Sequence, residues 1–206
     1  MSGRGALVTG AGRGLGRDIA VALARAGARV ACAARTPGEI EETARRCGPG
    51  AVAVVMDVTR PEQVEAGVRQ AESRLGSIDV LVNNAGAATS QPFRDLDYTT
   101  WRQVLAVDLD GPFLVTRAVL PGMLTRDYGR VIMIGSVLSK VGQPYVAAYT
   151  AAKHGLLGLT RSLAAEYRKT GVTFNCVCPA YAATPMTEAT IATIVRTASP
   201  PRSRRR

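Results

Sequence analysis

Apolar and polar positions along this chain follow two alternating rhythms. Short runs of nearly continuous apolar residues fall at 4–9, 28–34, 51–56, 78–82, 131–135 and 172–177, with longer, helically spaced stretches between them. A run that is apolar throughout, with no polar alternation, is a strand covered on both faces. The intervening stretches predict helices from the glycine cluster after residue 9 to about Arg25, over Glu39–Cys47, from Thr59 onward, over Tyr98–Thr125 and over 149–168. Gly27 is a good stop for the first of these. Thr59-Arg-Pro-Glu62 reads as a helix start with Thr59 as the cap, Pro61 in the first turn and Glu62 three residues on. The long helix is expected to bend near Gly111-Pro112. Strand and helix alternating in this way predict a doubly wound α/β domain: one parallel sheet of six strands, helices on both faces, right-handed crossovers. Ligands of such sheets bind beyond the carboxyl ends of the strands.

The residues at those ends carry the chemistry. Thr9-Gly-Ala-Gly-Arg-Gly-Leu-Gly16 follows the first strand. Glycine permits a tight turn and close approach to a phosphate, and the helix start behind it supplies free N–H groups. The second strand ends at Ala33-Ala34-Arg35 with no acid, and Arg13 lies in the glycine loop. An acid there would bind a ribose 2′-OH, whereas Arg accepts a 2′-phosphate, so NADP(H) is expected over NAD(H). Asp57, Asn83-Asn-Ala-Gly86, Ser136 and Pro179–Thr184 close four further strands. Tyr149 and Lys153 sit four apart at the start of a helix and so share one face. Together with Ser136 they form a plausible acid–base set.

Composition narrows the classes. The 206 residues are 47% hydrophobic and 20% charged, which suits one globular α/β domain over 1–198. No apolar run approaches the roughly 18 residues of a membrane span. The expected setting is cytoplasmic, with Cys32, Cys47, Cys176 and Cys178 as small reduced hydrophobes and no metal set among them. The formal charge is +10, of which Arg202, Arg204, Arg205 and Arg206 supply four, leaving +6 for the body. Residues 199–206 read as a basic, disordered tail without specific nucleic-acid recognition. Only three basic residues are lysine (Lys140, Lys153 and Lys169), so Lys153 beside Tyr149 is harder to read as random surface charge.

In order and spacing, these motifs resemble the short-chain dehydrogenase/reductase family, whose domain is Rossmann-like. The resemblance runs from residue 4 to about 186. It implies hydride transfer between a nicotinamide and a carbonyl or secondary alcohol. It implies cofactor contacts from Gly10, Arg13, Gly14, Leu15 and Gly16, from Arg35, from Asp57 and Val58, and from Asn84, Ala85 and Gly86. It adds Pro179, Thr184, Tyr149 and Lys153 to that set. Tyr149 becomes the general acid of reduction. Lys153 is expected to lower the phenol's pKa from its free value of about 10. Ser136 is expected to hold the substrate carbonyl oxygen. His154, about 100° around the helix from Lys153, is read as non-catalytic.

Three departures qualify this. Asp108 stands where the family usually has an Asn. It is expected to hold Lys153 charged while weakening its pull on Tyr149, so that Asp108→Asn keeps or raises activity. Ala180 follows Pro179 where glycine is common, at a cost of order 1 kcal/mol if that position needs positive φ. After Thr197 nothing resembles the family's seventh strand, so a truncated or frame-shifted end is expected, with an exposed edge at 172–177.

The stretches Ala151–Thr160 and Cys178–Met186 look like those of 3-oxoacyl thioester reductases, 3-hydroxybutyrate dehydrogenases and polyketide ketoreductases. A small carbonyl or acyl-thioester substrate is expected, with Arg126, Arg130, Arg168 and Lys169 as a candidate rim for its carrier or as solvated helix ends. A homo-oligomer, dimer or tetramer, is the expected assembly. The alternative is a nucleotide-binding relative with weak or no catalysis.

Overall fold

The computed structural model describes residues 1–180. Six parallel strands form one sheet: β1 (Gly5–Thr9), β2 (Arg29–Ala34), β3 (Val52–Val55), β4 (Val80–Asn83), β5 (Gly129–Ile134) and β6 (Val172–Val177). Their spatial order is β3-β2-β1-β4-β5-β6. Helices α1 (Gly14–Arg25), α2 (Pro37–Cys47), α3 (Pro61–Leu75), α4 (Tyr98–Leu105), α5 (Gly111–Thr125) and α6 (Ala147–Glu166) fill the crossovers. The predicted strands and helices are all present, with ends shifted by a few residues, as frayed boundaries allow.

The continuous apolar strands have the predicted cause. Successive residues of β1 face opposite layers: Leu7 packs with α3 and α5, Ala6 and Val8 with α1 and α2. All five residues of β1 are buried. Chain order reverses between β1 and β4, which pair Ala6 with Val80 and Val8 with Val82. This is the switch point where the loops diverge and leave a crevice.

Two local expectations need correction. Thr59 does not cap α3. The N-cap is Arg60, with no side-chain capping bond. The Thr59 hydroxyl instead donates to Asp57 at 2.8 Å, and its N–H does so at 2.9 Å. The irregularity in the long helix precedes Gly111-Pro112: residues Ala106–Asp110 form a π-helical turn between α4 and α5. Gly111 lies close against Val58, where a Cβ would meet the Val58 Cγ2 at 2.8 Å. The helix is thus pressed onto the loop after β3.

Among the described residues β6 is the outer strand on its side, paired with β5 from Gly129–Val172 to Ile134–Val177. Ala180 is not among the described non-glycine residues at positive φ, which are Asp127 and Tyr145, so the strain expected at Ala180 does not arise. No helix among the described residues is long and apolar enough to cross a membrane.

Candidate active site

The turns after β1 and β4 are sewn together. The Thr9 hydroxyl accepts the N–H groups of Asn84 at 3.0 Å and Ala85 at 3.1 Å. The Asn84 amide donates back to the carbonyls of Thr9 at 3.0 Å and Gly10 at 3.3 Å. Gly10 turns there at φ +64°, and a Cβ on it would lie 2.8 Å from the Ala85 Cα. A Cβ on Gly16 would run into the Gly10 carbonyl and the Asn84 amide. Neither glycine position has room for a side chain. Behind it α1 begins at Gly14 with no side-chain cap. Its first-turn N–H groups and positive dipole end face the cleft, which fits a pyrophosphate.

This turn is one wall of a cleft of about 610 Å³, a size that suits a small-molecule or cofactor site. Next to it lie Arg13 and Arg35, both exposed. Asp57 and Val58 continue the wall. Burial pushes the Asp57 carboxyl up, but the two Thr59 hydrogen bonds and the fields of Arg35 and Arg60 outweigh it. The group ends below the usual carboxylate range.

The other end of the cleft holds the acid–base set. Ser136 follows β5 through Gly135, where a Cβ would meet the Cys176 sulfur at 2.7 Å and the Ser139 hydroxyl at 2.9 Å. Ser136 is also a helix cap: its Oγ accepts the Leu138 N–H at 3.2 Å, while its own N–H donates to Ser139 at 3.1 Å. Those bonds fix the oxygen, and the hydroxyl interacts with the Tyr149 phenol. Lys153 is 3% exposed. Its Nζ donates to the Ile134 carbonyl at 2.9 Å and lies 5.4 Å from the centre of the Tyr149 ring.

Asp108 completes the set. The π turn directs it inward, where it is fully buried. Oδ1 faces Lys153 Nζ at 2.9 Å, and Oδ2 accepts the Ala87 N–H at 2.9 Å. Oδ1 has this ionic partner but none in hydrogen-bond geometry. The Lys153 ammonium has three donors. One is spent on Ile134, and the ion pair leaves at least one free for a ligand.

Burial dominates the electrostatics. It pushes the Asp108 carboxyl up, opposed by the Lys153 ammonium and the Ala87 N–H. It also pushes the Tyr149 phenol up. Lys153 and Ser136 pull that phenol down, and the Asp108 charge pushes it up again. With the protein alone, the phenol therefore ends above its ordinary value. The lysine pulls in the expected direction, but desolvation is larger.

The cleft gathers every site residue expected from the sequence except Thr184, which lies outside the described residues. Asn83, by contrast, is buried away from the cleft and bonds Thr116 at 2.9 Å. His154 is exposed, its Nδ1 at 2.9 Å from the Thr150 carbonyl, as its helical position implied. Arg126 and Arg130, two members of the candidate basic rim, do not border the cleft. Arg126 and Arg130 bond the carbonyls of Ile78, Gly129 and Gly171, at the amino ends of the strands and opposite the cleft. Sequence reasoning missed Thr9, whose place before the glycine loop is its only signal. It also missed Glu39, which lines the cleft from the first turn of α2.

Comparison with known proteins agrees with this geometry. A family model described as short chain dehydrogenase matches residues 4–194. Oxidoreductase UcpA of Escherichia coli K12 is 41% identical over 192 residues, covering 91% of this chain and 73% of that protein. The 3-oxoacyl-[acyl-carrier-protein] reductase FabG of the same organism is 36% identical over 187 residues, covering 91% and 77%. Among solved structures, a gluconate 5-dehydrogenase from Burkholderia cenocepacia J2315, in complex with NADP and tartrate, superposes with a TM-score of 0.88. It is 36% identical, with 93% of this chain and 76% of that one covered. The chain belongs to the short-chain dehydrogenase family and is an oxidoreductase acting on CH–OH groups with a nicotinamide dinucleotide.

Proposed function

We propose that this protein reduces the carbonyl of a small ketone or 3-oxoacyl thioester, using NADP(H) in preference to NAD(H). The observation that carries the reading is the single cleft that joins an uncapped glycine-rich helix start to the Ser136–Tyr149–Lys153 set. Gly10, Gly14, Leu15 and Gly16 would hold the pyrophosphate, with Arg13 and Arg35 on a 2′-phosphate. Asp57 and Val58 would meet the adenine, and Asn84, Ala85 and Gly86 its ribose. Pro179 and Thr184 would flank the nicotinamide. When bound, the nicotinamide supplies the hydride for reduction and accepts it in oxidation.

The chain's own groups do the rest. Ser136 Oγ orients the substrate carbonyl oxygen, its position already fixed by the Leu138 N–H. Tyr149 gives its phenolic proton to that oxygen as the carbonyl carbon becomes a CH–OH, and recovers a proton from solvent. Lys153 stabilises the phenolate left behind and offers a free N–H to the cofactor ribose. Asp108 holds Lys153 in place through the 2.9 Å ion pair. The likeness to FabG favours a 3-oxoacyl thioester as substrate.

The test is NADPH oxidation with acetoacetyl thioester and a panel of simple ketones, for wild type and Tyr149→Phe. Loss of an acid catalyst costs roughly 10²–10⁴ in rate. The variant should lose that much while still binding NADPH. Equal activity in both would sink the mechanism. One observation favours a second reading, cofactor binding without efficient turnover: burial and Asp108 both push the phenol up. NADPH binding with no turnover across the panel would select it.

A further inference from the structure

The end of β2 carries Arg35 and no acid, which reads as a site for a 2′-phosphate. The fold changes this. Four residues after Arg35, in the first turn of α2, Glu39 comes back against the glycine loop. Its side chain lies flat on Gly12: a Cβ there would be 2.7 Å from Glu39 Oε2 and 3.0 Å from Glu39 Cβ. The Gly12 carbonyl is pinned on its other side by Arg17, at 3.1 and 2.5 Å, and more loosely by Thr43 at 3.5 Å. The Thr43 hydroxyl also bonds the Glu39 carbonyl at 3.0 Å, which ties the first turn of α2 to the loop. The Glu39 carboxylate therefore occupies a defined place on the cleft wall beside Arg13, Arg35 and Thr36. Among the described residues it makes no ion pair or side-chain hydrogen bond.

A free carboxylate in that place accepts hydrogen bonds from a ribose diol and repels a phosphate. The two guanidinium groups beside it do the reverse. Resting on the cofactor reading above, we propose that Glu39 is a specificity-determining residue that tempers the preference for NADP(H) and makes NAD(H) a competent second cofactor. Arg13 and Arg35 draw the 2′-phosphate in. Glu39 opposes it and hydrogen-bonds the adenosine ribose hydroxyls of the unphosphorylated form. The outcome is a graded preference rather than an exclusive one.

The experiment measures Kd for NADPH and NADH by nucleotide fluorescence, with wild type, Glu39→Gln and Arg35→Ala, and records the melting temperature of each without nucleotide. The measurement needs no turnover. Wild type should bind both nucleotides. Glu39→Gln should raise the NADPH-over-NADH affinity ratio about tenfold, and Arg35→Ala should lower it. High salt should shrink both effects, because the guanidinium groups are exposed and the Glu39 carboxylate is only half-buried. An NADPH-over-NADH ratio within twofold of wild type in Glu39→Gln, with an unchanged melting temperature, overturns the proposal and leaves the cofactor reading standing. Wild type that binds neither nucleotide overturns both.

Discussion

The buried pair of Asp108 and Lys153 makes the most demanding prediction. Both side chains lie in the interior, with 2.9 Å between Oδ1 and Nζ. At an effective dielectric of about 20, charges at that separation attract by about 6 kcal/mol. Desolvation opposes this, and the raised Asp108 pKa shows that burial is the larger influence on the carboxyl. The pair is therefore of small net worth, but either member alone is costly: removing one partner of such a pair costs about 3–5 kcal/mol. Lys153→Met strands the carboxylate with only the Ala87 N–H. Asp108→Asn strands the ammonium with the Ile134 carbonyl, and the new amide has one acceptor where the carboxylate had two. The double variant removes both charges and should cost well under the sum of the two single changes, by at least about 2 kcal/mol.

Urea unfolding of the four proteins at pH 7 measures this. For a chain of this size each kcal/mol moves the melting temperature by about 2–4 °C, so the single variants should also differ plainly in a thermal melt. pH adds a second reading. A carboxyl whose folded pKa lies above its unfolded value binds its proton more tightly in the folded state. Stability then falls as pH rises from the unfolded value, about 3.9, through the folded one. The Asp108 shift has that sign, and losing Lys153 enlarges it. The deficit of Lys153→Met should thus be smaller at pH 5 than at pH 7. Additive costs, within about 0.5 kcal/mol, would refute the coupling. A deficit independent of pH would show that the stranded group is not Asp108. In the same set, Asp108→Asn removes the charge that pushes the Tyr149 phenol up, so its pH–rate profile for alcohol oxidation should move to lower pH.

Two further outcomes test the nucleotide end. Thr9→Val leaves the Asn84 and Ala85 N–H groups without their acceptor, at about 1–3 kcal/mol for each group left unpaired. It should lower the melting temperature by several degrees, and Thr9→Ser should restore most of it. Gly16→Ala drives a methyl group into the Gly10 carbonyl and the Asn84 amide. Such overpacking costs about 1–3 kcal/mol, and the displaced turn should weaken NADPH binding at least tenfold. Unchanged affinity would mean that the turn does not carry the phosphates.

Much of the fold was legible because parallel strands buried on both faces have a pattern that little else produces. Leu7 and Val8 serve opposite layers, so both must be apolar, and the run is continuous. The site residues were legible for a related reason. Gly10, Asn84, Ser136 and Tyr149 each sit next to the end of an element, so finding the element finds the residue. Illegibility begins where a side chain's role depends on a second element. Thr59 has the composition of a helix cap, yet its hydroxyl goes to Asp57, because the loop after β3 brings that carboxylate within 2.8 Å. Arg126 and Arg130 look like a basic rim until the end of α5 and the start of β5 put them at the far edge of the sheet.

Asp108 and Glu39 mark the boundary most clearly. The family resemblance singled out Asp108 beside Lys153, but its protonation and its worth depend on the π turn that buries it and on the Ala87 N–H that takes its second oxygen. Glu39 was missed because the search for an acid stopped at the end of β2. The short turn between β2 and α2 leaves both Arg35, just past the strand, and Glu39, in the first turn of the helix, on the wall of one cleft. In this chain those two residues, Arg35 and Glu39, carry opposite charge. If the proposal for Glu39 holds, cofactor choice here is a property of the pair, and the strand-end residue alone is an incomplete guide to it.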